Sequence, residues 1–285
     1  MTDEQTVYGM KAALALLERR PEAVLRIHYR ADRRAQLKGV LAWAASRRLP
    51  YRELDEDSLR KVAGGMHHEG LVVVAKPLCF AEFAPAVIGP TAFAPAARPR
   101  NRRDPRRGGP QIGDGGSGAS RERSAAAPGS QTIRAMDLVW LALDGVENPH
   151  NLGAILRSAA FFGAGGVLVG GVAPGTPVNP AAIRTAEGGA EYVCVAAAAD
   201  LAATLSAQPA NGWRVLGLET DGAPFPRERP TAPILLVLGH EHEGLRPAIR
   251  QACSAVYRIS GEGTLASLNV SVAAGVALAL LSAVR

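Results

Sequence analysis

Three short stretches carry side chains whose types and spacing could do chemistry together. The first, NPHNLGAILRSAAFFGA (148–164), holds Asn151 and, six residues on, Arg157, the lone Lys, Arg, Asp or Glu between Glu147 and Arg184. A guanidinium among Gly153, Ala154, Ala160 and Phe161 must find an anion or a carbonyl, or reach water. Pro149 should stop a helix from starting upstream, and Asn151 suits its cap. The second stretch, ILLVLGHEHEGL (234–245), ends an apolar run on Leu238 and Gly239 and puts Glu241 just beyond. Gly239 lets backbone approach a ligand closely. The third, SLNVSVAAG (267–275), opens with Ser267, Leu268 and Asn269. Ser267 suits a helix cap. Asn269, a mediocre helix former with both a donor and an acceptor, asks for another use.

Other chemistries find little support. His240 and His242 flank Glu241, but the spacing is not HExxH and no third ligand stands by, so no metal is expected. There is no P-loop and no nucleophile elbow. GAGGVLVGG (163–171) follows a helical pattern instead of linking a strand to one, which makes it poor evidence for a dinucleotide site.

The three stretches need a scaffold. Hydrophobic spacing predicts strands over DLVWLALDGV, GVLVGG, YVCVA, WRVLGLE, ILLVLG and AVYRIS. It predicts helices over HNLGAILRSAAFFG, PAAIRTAEGGA, RPAIRQAC and the closing run. Near-continuous apolar strands mean a parallel sheet covered on both faces, and ligands collect at the carboxyl ends of such strands. All three chemical stretches fall at those ends. Ahead of them, GMKAALALLERR, RRAQLKGVLAWAASRR and DSLRKVAG read as helices, AVLRIHY and GLVVVAK as strands. That is a second, smaller α/β unit of roughly 75 residues, within the range of an independent domain. The chain therefore divides into residues 1–76, a linker over 77–134, and residues 135–285.

Charge follows the same division. Residues 1–76 carry 14 Lys and Arg against 10 acids, residues 77–134 carry 9 against 4, and residues 135–285 carry 9 against 12. A basic front half suits a polyanion such as RNA. The linker, rich in Pro, Gly, Ser and Arg, cannot bury a core; it is a self-repelling spacer or an arm that grips phosphates. The uncharged closing run, from Thr264 to Val284, is too interrupted by Thr264, Ser267, Asn269, Ser271 and Ser282, and too rich in Ala, to span a membrane. The first residues lack the pattern of a signal peptide, and three scattered cysteines fit reduced thiols in a cytoplasm.

Taken together, NPHNLGAILRSAAFFG, LVLGHEHEGL and SLNVSVAAG resemble the three signature motifs of the SpoU (TrmH-like) RNA ribose 2'-O-methyltransferases, in order and in spacing. VYGMKAALALLERRP and HHEGLVVVAKP resemble the family's accessory RNA-binding domain, of ribosomal-protein L30e type. AAIRTAEGGAEYV is similar to a bacterial branch of tRNA/rRNA methyltransferases. The resemblance implies a deep trefoil knot, S-adenosylmethionine as donor, structured RNA (rRNA or tRNA) as partner, and a homodimer whose interface uses the small-residue face of the last helix. Carried over position by position, it implies that Leu238, Gly239, Ile259 and Leu268 bind the cofactor, while Asn151, Arg157, Glu241, Ser267 and Asn269 line the catalytic pocket. Ser260 and Gly261 stand where the family often has Pro-Met, and His240 and His242 where it commonly has small residues. The competing expectation is a non-catalytic RNA-binding or ribosome-assembly factor on the same fold.

Overall fold

The computed structural model describes residues 4–65, 67–84, 135–226 and 232–283. The front module contains β1 (Gln5–Tyr8), α1 (Met10–Arg19), β2 (Val24–Tyr29), α2 (Lys38–Ser46), β3 (Tyr51–Glu53), α3 (Glu56–Ala63) and β4 (Leu71–Ala75). Its sheet runs β1-β4-β2-β3, antiparallel except for β2 with β3. Helical spacing puts Ala12, Ala13, Leu16 and Leu17 of α1 on one buried face. α3 starts where Asp55 accepts the Ser58 N–H at 2.7 Å and ends on Gly64 in the left-handed region. The helix expected over 33–48 is shorter, because a 3-10 turn at Ala31–Arg33 precedes α2.

The rear module holds β5 (Ala81–Glu82), β6 (Val139–Leu143), α4 (Pro149–Phe162), β7 (Gly166–Gly170), α5 (Pro180–Thr185) and β8 (Cys194–Ala198). It continues with α6 (Leu201–Ser206), β9 (Arg214–Pro224), β10 (Ile234–Leu238), α7 (Pro247–Ala252), β11 (Ala255–Arg258) and α8 (Val270–Ser282). Its seven strands are ordered β11-β9-β10-β6-β7-β8-β5, and every neighbouring pair is parallel. Side chains alternate across the sheet. Val139, Leu141, Leu143, Leu236 and Leu238 join the core with α4 and α8; Trp140, Ala142, Leu235 and Val237 join the core with α6 and α7. No helix among the described residues is long and apolar enough to cross a membrane.

Two expectations need correction. Residues 77–84 are not linker: Phe80 is buried, β5 adds an edge strand beside β8, and Phe83 meets Trp140 and Trp213 edge-on at 5.3 and 6.1 Å. Apolar Leu78, Phe80 and Phe83 pack against the cores on the two faces of the sheet. The remainder of the proposed linker, 85–134, lies outside the described residues. Second, β9 outruns its expected end and bulges. Val256 pairs with Gly217 and Tyr257 with Ala223, which throws 218–222 out of register. The glycines of GAGGVLVGG prove to be about packing, since a Cβ on Gly166 would come within 2.5 Å of the Trp140 ring.

The modules share one buried cluster. Gln5 bridges them, donating from Nε2 to the Val178 carbonyl at 2.9 Å while its Oε1 accepts the Leu78 N–H at 3.0 Å.

Candidate active site

Helix α4 is capped by Asn148, whose side chain accepts the His150 N–H at 2.9 Å, and Pro149 takes the first helical position. Asn151 is not the cap. Proline has no N–H to lose there and its fixed φ is ready for a helix, so the start moves upstream. That leaves the Asn151 side chain, 8% exposed, free to turn inward. Its Nδ2 donates to Glu241 Oε1, and its Oδ1 accepts from Asn269 Nδ2 at 3.2 Å. Asn269, not Ser267, caps α8: its Oδ1 accepts from the Ser271 N–H at 2.9 Å and from Ser271 Oγ at 2.6 Å. Thus three residues from three separated segments form one hydrogen-bonded cluster.

A tight turn delivers Glu241 to it. Beyond Leu238, which ends β10, His240 and Gly244 exchange two backbone hydrogen bonds at 3.0 Å. The turn is so close that a Cβ on Gly239 would overlap the Gly244 backbone. His240 serves the turn as well, its Nδ1 accepting the N–H groups of His242 and Glu243 at 3.2 and 3.4 Å. Glu219, from the β9 bulge, accepts the Leu245 N–H. Asp144, 1% exposed at the end of β6, receives Arg246 Nε at 2.8 Å and Nη2 at 2.5 Å. A buried carboxylate needs such a partner. Glu219, Asp144 and Arg246 escaped the reading of the sequence, because nothing local marks a carboxylate whose partner lies 26 or 102 residues away.

Beside Glu241, Gly145, Glu147, Asn148, His240, Glu241 and His242 line a cleft of about 160 Å³. A larger hollow of about 650 Å³ lies between α6 and α7, lined in part by Asp200 and Arg246, away from the three-segment cluster. Ile259 is partly exposed after β11, and Ser260 to Asn269 are all exposed, among them Ser267 and Leu268. Among the described residues no group of three or more His, Cys, Asp or Glu side chains is gathered as a metal would need.

Arg157 goes elsewhere within the chain. Six residues past Asn151 it points from another face of α4, half exposed, and its Nη1 meets Glu187 Oε1 at 2.9 Å.

A model of the SpoU rRNA methylase family matches residues 138–279, and one described as RNA 2'-O ribose methyltransferase substrate binding matches residues 6–81. The 23S rRNA (guanosine-2'-O-)-methyltransferase RlmB of Acinetobacter baylyi is 30% identical over 283 residues, 98% of this chain and 96% of that protein. The chain belongs to the SpoU rRNA methylase family. The uncharacterized tRNA/rRNA methyltransferase YfiF of Escherichia coli O157:H7 is 33% identical over 97% of this chain, which spans 67% of that protein's length. Mycobacterial members match at 42% over 146 residues, and the chain spans about half their length (46%). In fold, the AdoMet-bound rRNA methyltransferase from Sinorhizobium meliloti superposes with a TM-score of 0.66 at 20% identity, over 98% of this chain and 87% of that one. The SpoU fold thus places the two sheets as a small front domain and a parallel-sheet rear domain.

Proposed function

We propose that this chain is an S-adenosylmethionine-dependent methyltransferase that alkylates a ribose 2'-hydroxyl of ribosomal or transfer RNA, acting as a cytoplasmic homodimer. The observation that carries the reading is the meeting of Asn151, Glu241 and Asn269 at the carboxyl-end side of the sheet, within the span matched by the methylase family. The names of the end-to-end relatives support rRNA ribose as the acceptor.

The cleft suits the positively charged part of the donor. Glu147 and Glu241 line it with negative charge, a fit for a sulfonium. Leu238, Gly239, Ile259 and Leu268 are the residues to hold the cofactor. When bound, S-adenosylmethionine supplies an activated methyl group whose departing thioether is neutral. The chain's task is then to align the hydroxyl and ease loss of its proton. Alignment reaches an effective molarity of about 10⁵–10⁸ M, against about 10²–10⁴-fold for a general base. Asn151, Glu241 and Asn269 fix the site's shape through mutual hydrogen bonds, with Ser267 beside them in the chain. Arg157 carries five donors and resists deprotonation, so it clamps the target phosphate and stabilises the developing alkoxide while the proton passes to water or another acceptor.

Apolar side chains that α4 and α8 leave uncovered support the dimer. Phe161 is 83% exposed and Val272 49%. Arg157 and Phe161, four residues apart, share a face of α4. A second copy seated on this stripe covers the apolar rings and receives Arg157 near its own cluster.

The test is methyl transfer from labelled S-adenosylmethionine to total rRNA and tRNA, with ribose methylation mapped in cells with and without the gene. Label on a 2'-oxygen is the expected result. Label on a base would make this a base methyltransferase, and no calorimetric binding of S-adenosylmethionine would leave an RNA-binding factor.

A further inference from the structure

The stretch AAIRTAEGGAEYV (181–193) takes no part in the three-segment cluster, yet it is where the modules meet. Glu191, its side chain 3% exposed, takes Arg20, just past the end of α1, in two hydrogen bonds of 2.7 and 2.8 Å. Tyr192 Oη donates to Glu18 at 2.6 Å. Gly188, at φ 91, leaves no room for a side chain, since a Cβ would lie 2.7 Å from that of Ala15. Gly189 is as tight on the other side, where a Cβ would sit 2.9 Å from the Arg157 Cα. The seat of the front module is therefore packed directly against the helix that carries Arg157.

Glu187 stands between them. Its Oε2 receives Lys11 Nζ from α1 at 2.7 Å, and its Oε1 receives Arg157 Nη1 at 2.9 Å. Its backbone lies at φ 46, a left-handed conformation that glycine or asparagine adopts with less strain. A glutamate kept in such a place is a candidate for use of its carboxylate. Lys11 first, and Arg157 after it, hold that carboxyl below the usual range although burial opposes them.

We propose that Glu187 is a positioning residue for methyl transfer: it orients the Arg157 guanidinium and, through Lys11, makes that orientation depend on the seated front module. The proposal rests on the methyltransferase reading above. Exposed ion pairs stabilise little, so the effect belongs to geometry and not to fold stability. Arg157 has long, freely rotating bonds, and a carboxylate anchored at both oxygens narrows where its fork can point. Binding of RNA by the front module is thereby coupled to the arginine that handles the target phosphate.

The test measures kcat and both KM values for the full-length chain alongside NMR of the Arg157 Nε–Hε group, assigned by its loss in Arg157→Lys. For Glu187→Gln the expectation is about a tenfold fall in kcat, with KM for RNA and for S-adenosylmethionine within about twofold of wild type, and a mobile Arg157 signal. Lys11→Met should give a smaller fall, and the double variant should be no worse than Glu187→Gln alone, because Lys11 acts through Glu187. An unchanged kcat in Glu187→Gln, or a change confined to KM for RNA, overturns the proposal. So does an Arg157 signal indifferent to both substitutions. A wild-type chain that transfers no methyl group while its Arg157 signal still responds to Glu187→Gln would instead bring down the enzymatic reading, and the positioning role with it.

Discussion

The Asn269 amide divides its two ends between local structure and the site: Oδ1 caps α8 through Ser271, and Nδ2 donates to Asn151. This separates two variants. Asn269→Asp keeps a good cap but turns an oxygen toward Asn151 Oδ1, so the melting temperature should stay within a few degrees while kcat falls at least about tenfold. Asn269→Ala should lose the cap as well, at a cost of about 1 kcal/mol read by denaturant unfolding. Stability loss in the aspartate variant equal to that of alanine would show that the bond to Asn151, and not the cap, carries the stabilisation. Arg157→Lys keeps the charge but not the fork. It should lower kcat about a hundredfold with the pH profile unmoved, whereas a base would shift that profile. Near-full activity of the lysine variant would dismiss both roles. Asn269 was legible in the sequence because an asparagine before an apolar run lacks a propensity reason. The choice of cap was not, since Ser267 and Asn269 both qualify and only backbone angles, here φ −54 and ψ 141 at Asn269, decide between them. The anchoring of Arg157 by Glu187, thirty residues on, was equally invisible to spacing.

Long apolar strands announced the sheet, because burial on both faces leaves an uninterrupted hydrophobic run that survives without any tertiary knowledge. The short ones did not: β1, β3 and β5 have four, three and two residues, too few to show a period. Turns were harder still. Gly239 reads in the sequence as room for a ligand, and in the structure it is first of all room for Gly244, with His240 and Glu219 pinning the rest of the turn. Gly239→Ala therefore has to open the loop that holds Glu241. It should destabilise the fold by about 1–3 kcal/mol, measured by urea unfolding, and weaken S-adenosylmethionine binding measured by calorimetry. Lost stability with unaltered binding would place the cofactor away from this turn.

The basic front module and the acidic rear module are joined in one core, yet within a single chain Arg157, the arginine proposed for catalysis, is not with Asn151, Glu241 and Asn269. The exposed Phe161 beside it suggests how the distance is closed, and each part can be tested. Phe161→Glu should give a folded monomer by sedimentation, its stability within about 1 kcal/mol of wild type, because the ring is largely exposed and its edge-on contact with Phe162 is the loss expected within the chain. Its methyl transfer should fall with the dimer. Subunit mixing tests the geometry itself. Arg157→Lys and Asn269→Asp chains are each weak alone. If Arg157 serves the neighbouring subunit, a mixed dimer has one site with both residues intact. After equal mixing and exchange, half the dimers are mixed, so activity should return to about a quarter of wild type. If Arg157 serves its own chain, every site in the mixture keeps one defect and nothing returns. The recovered fraction, set against the sedimentation of Phe161→Glu, decides between a site completed across the interface and one that a single chain rearranges to build.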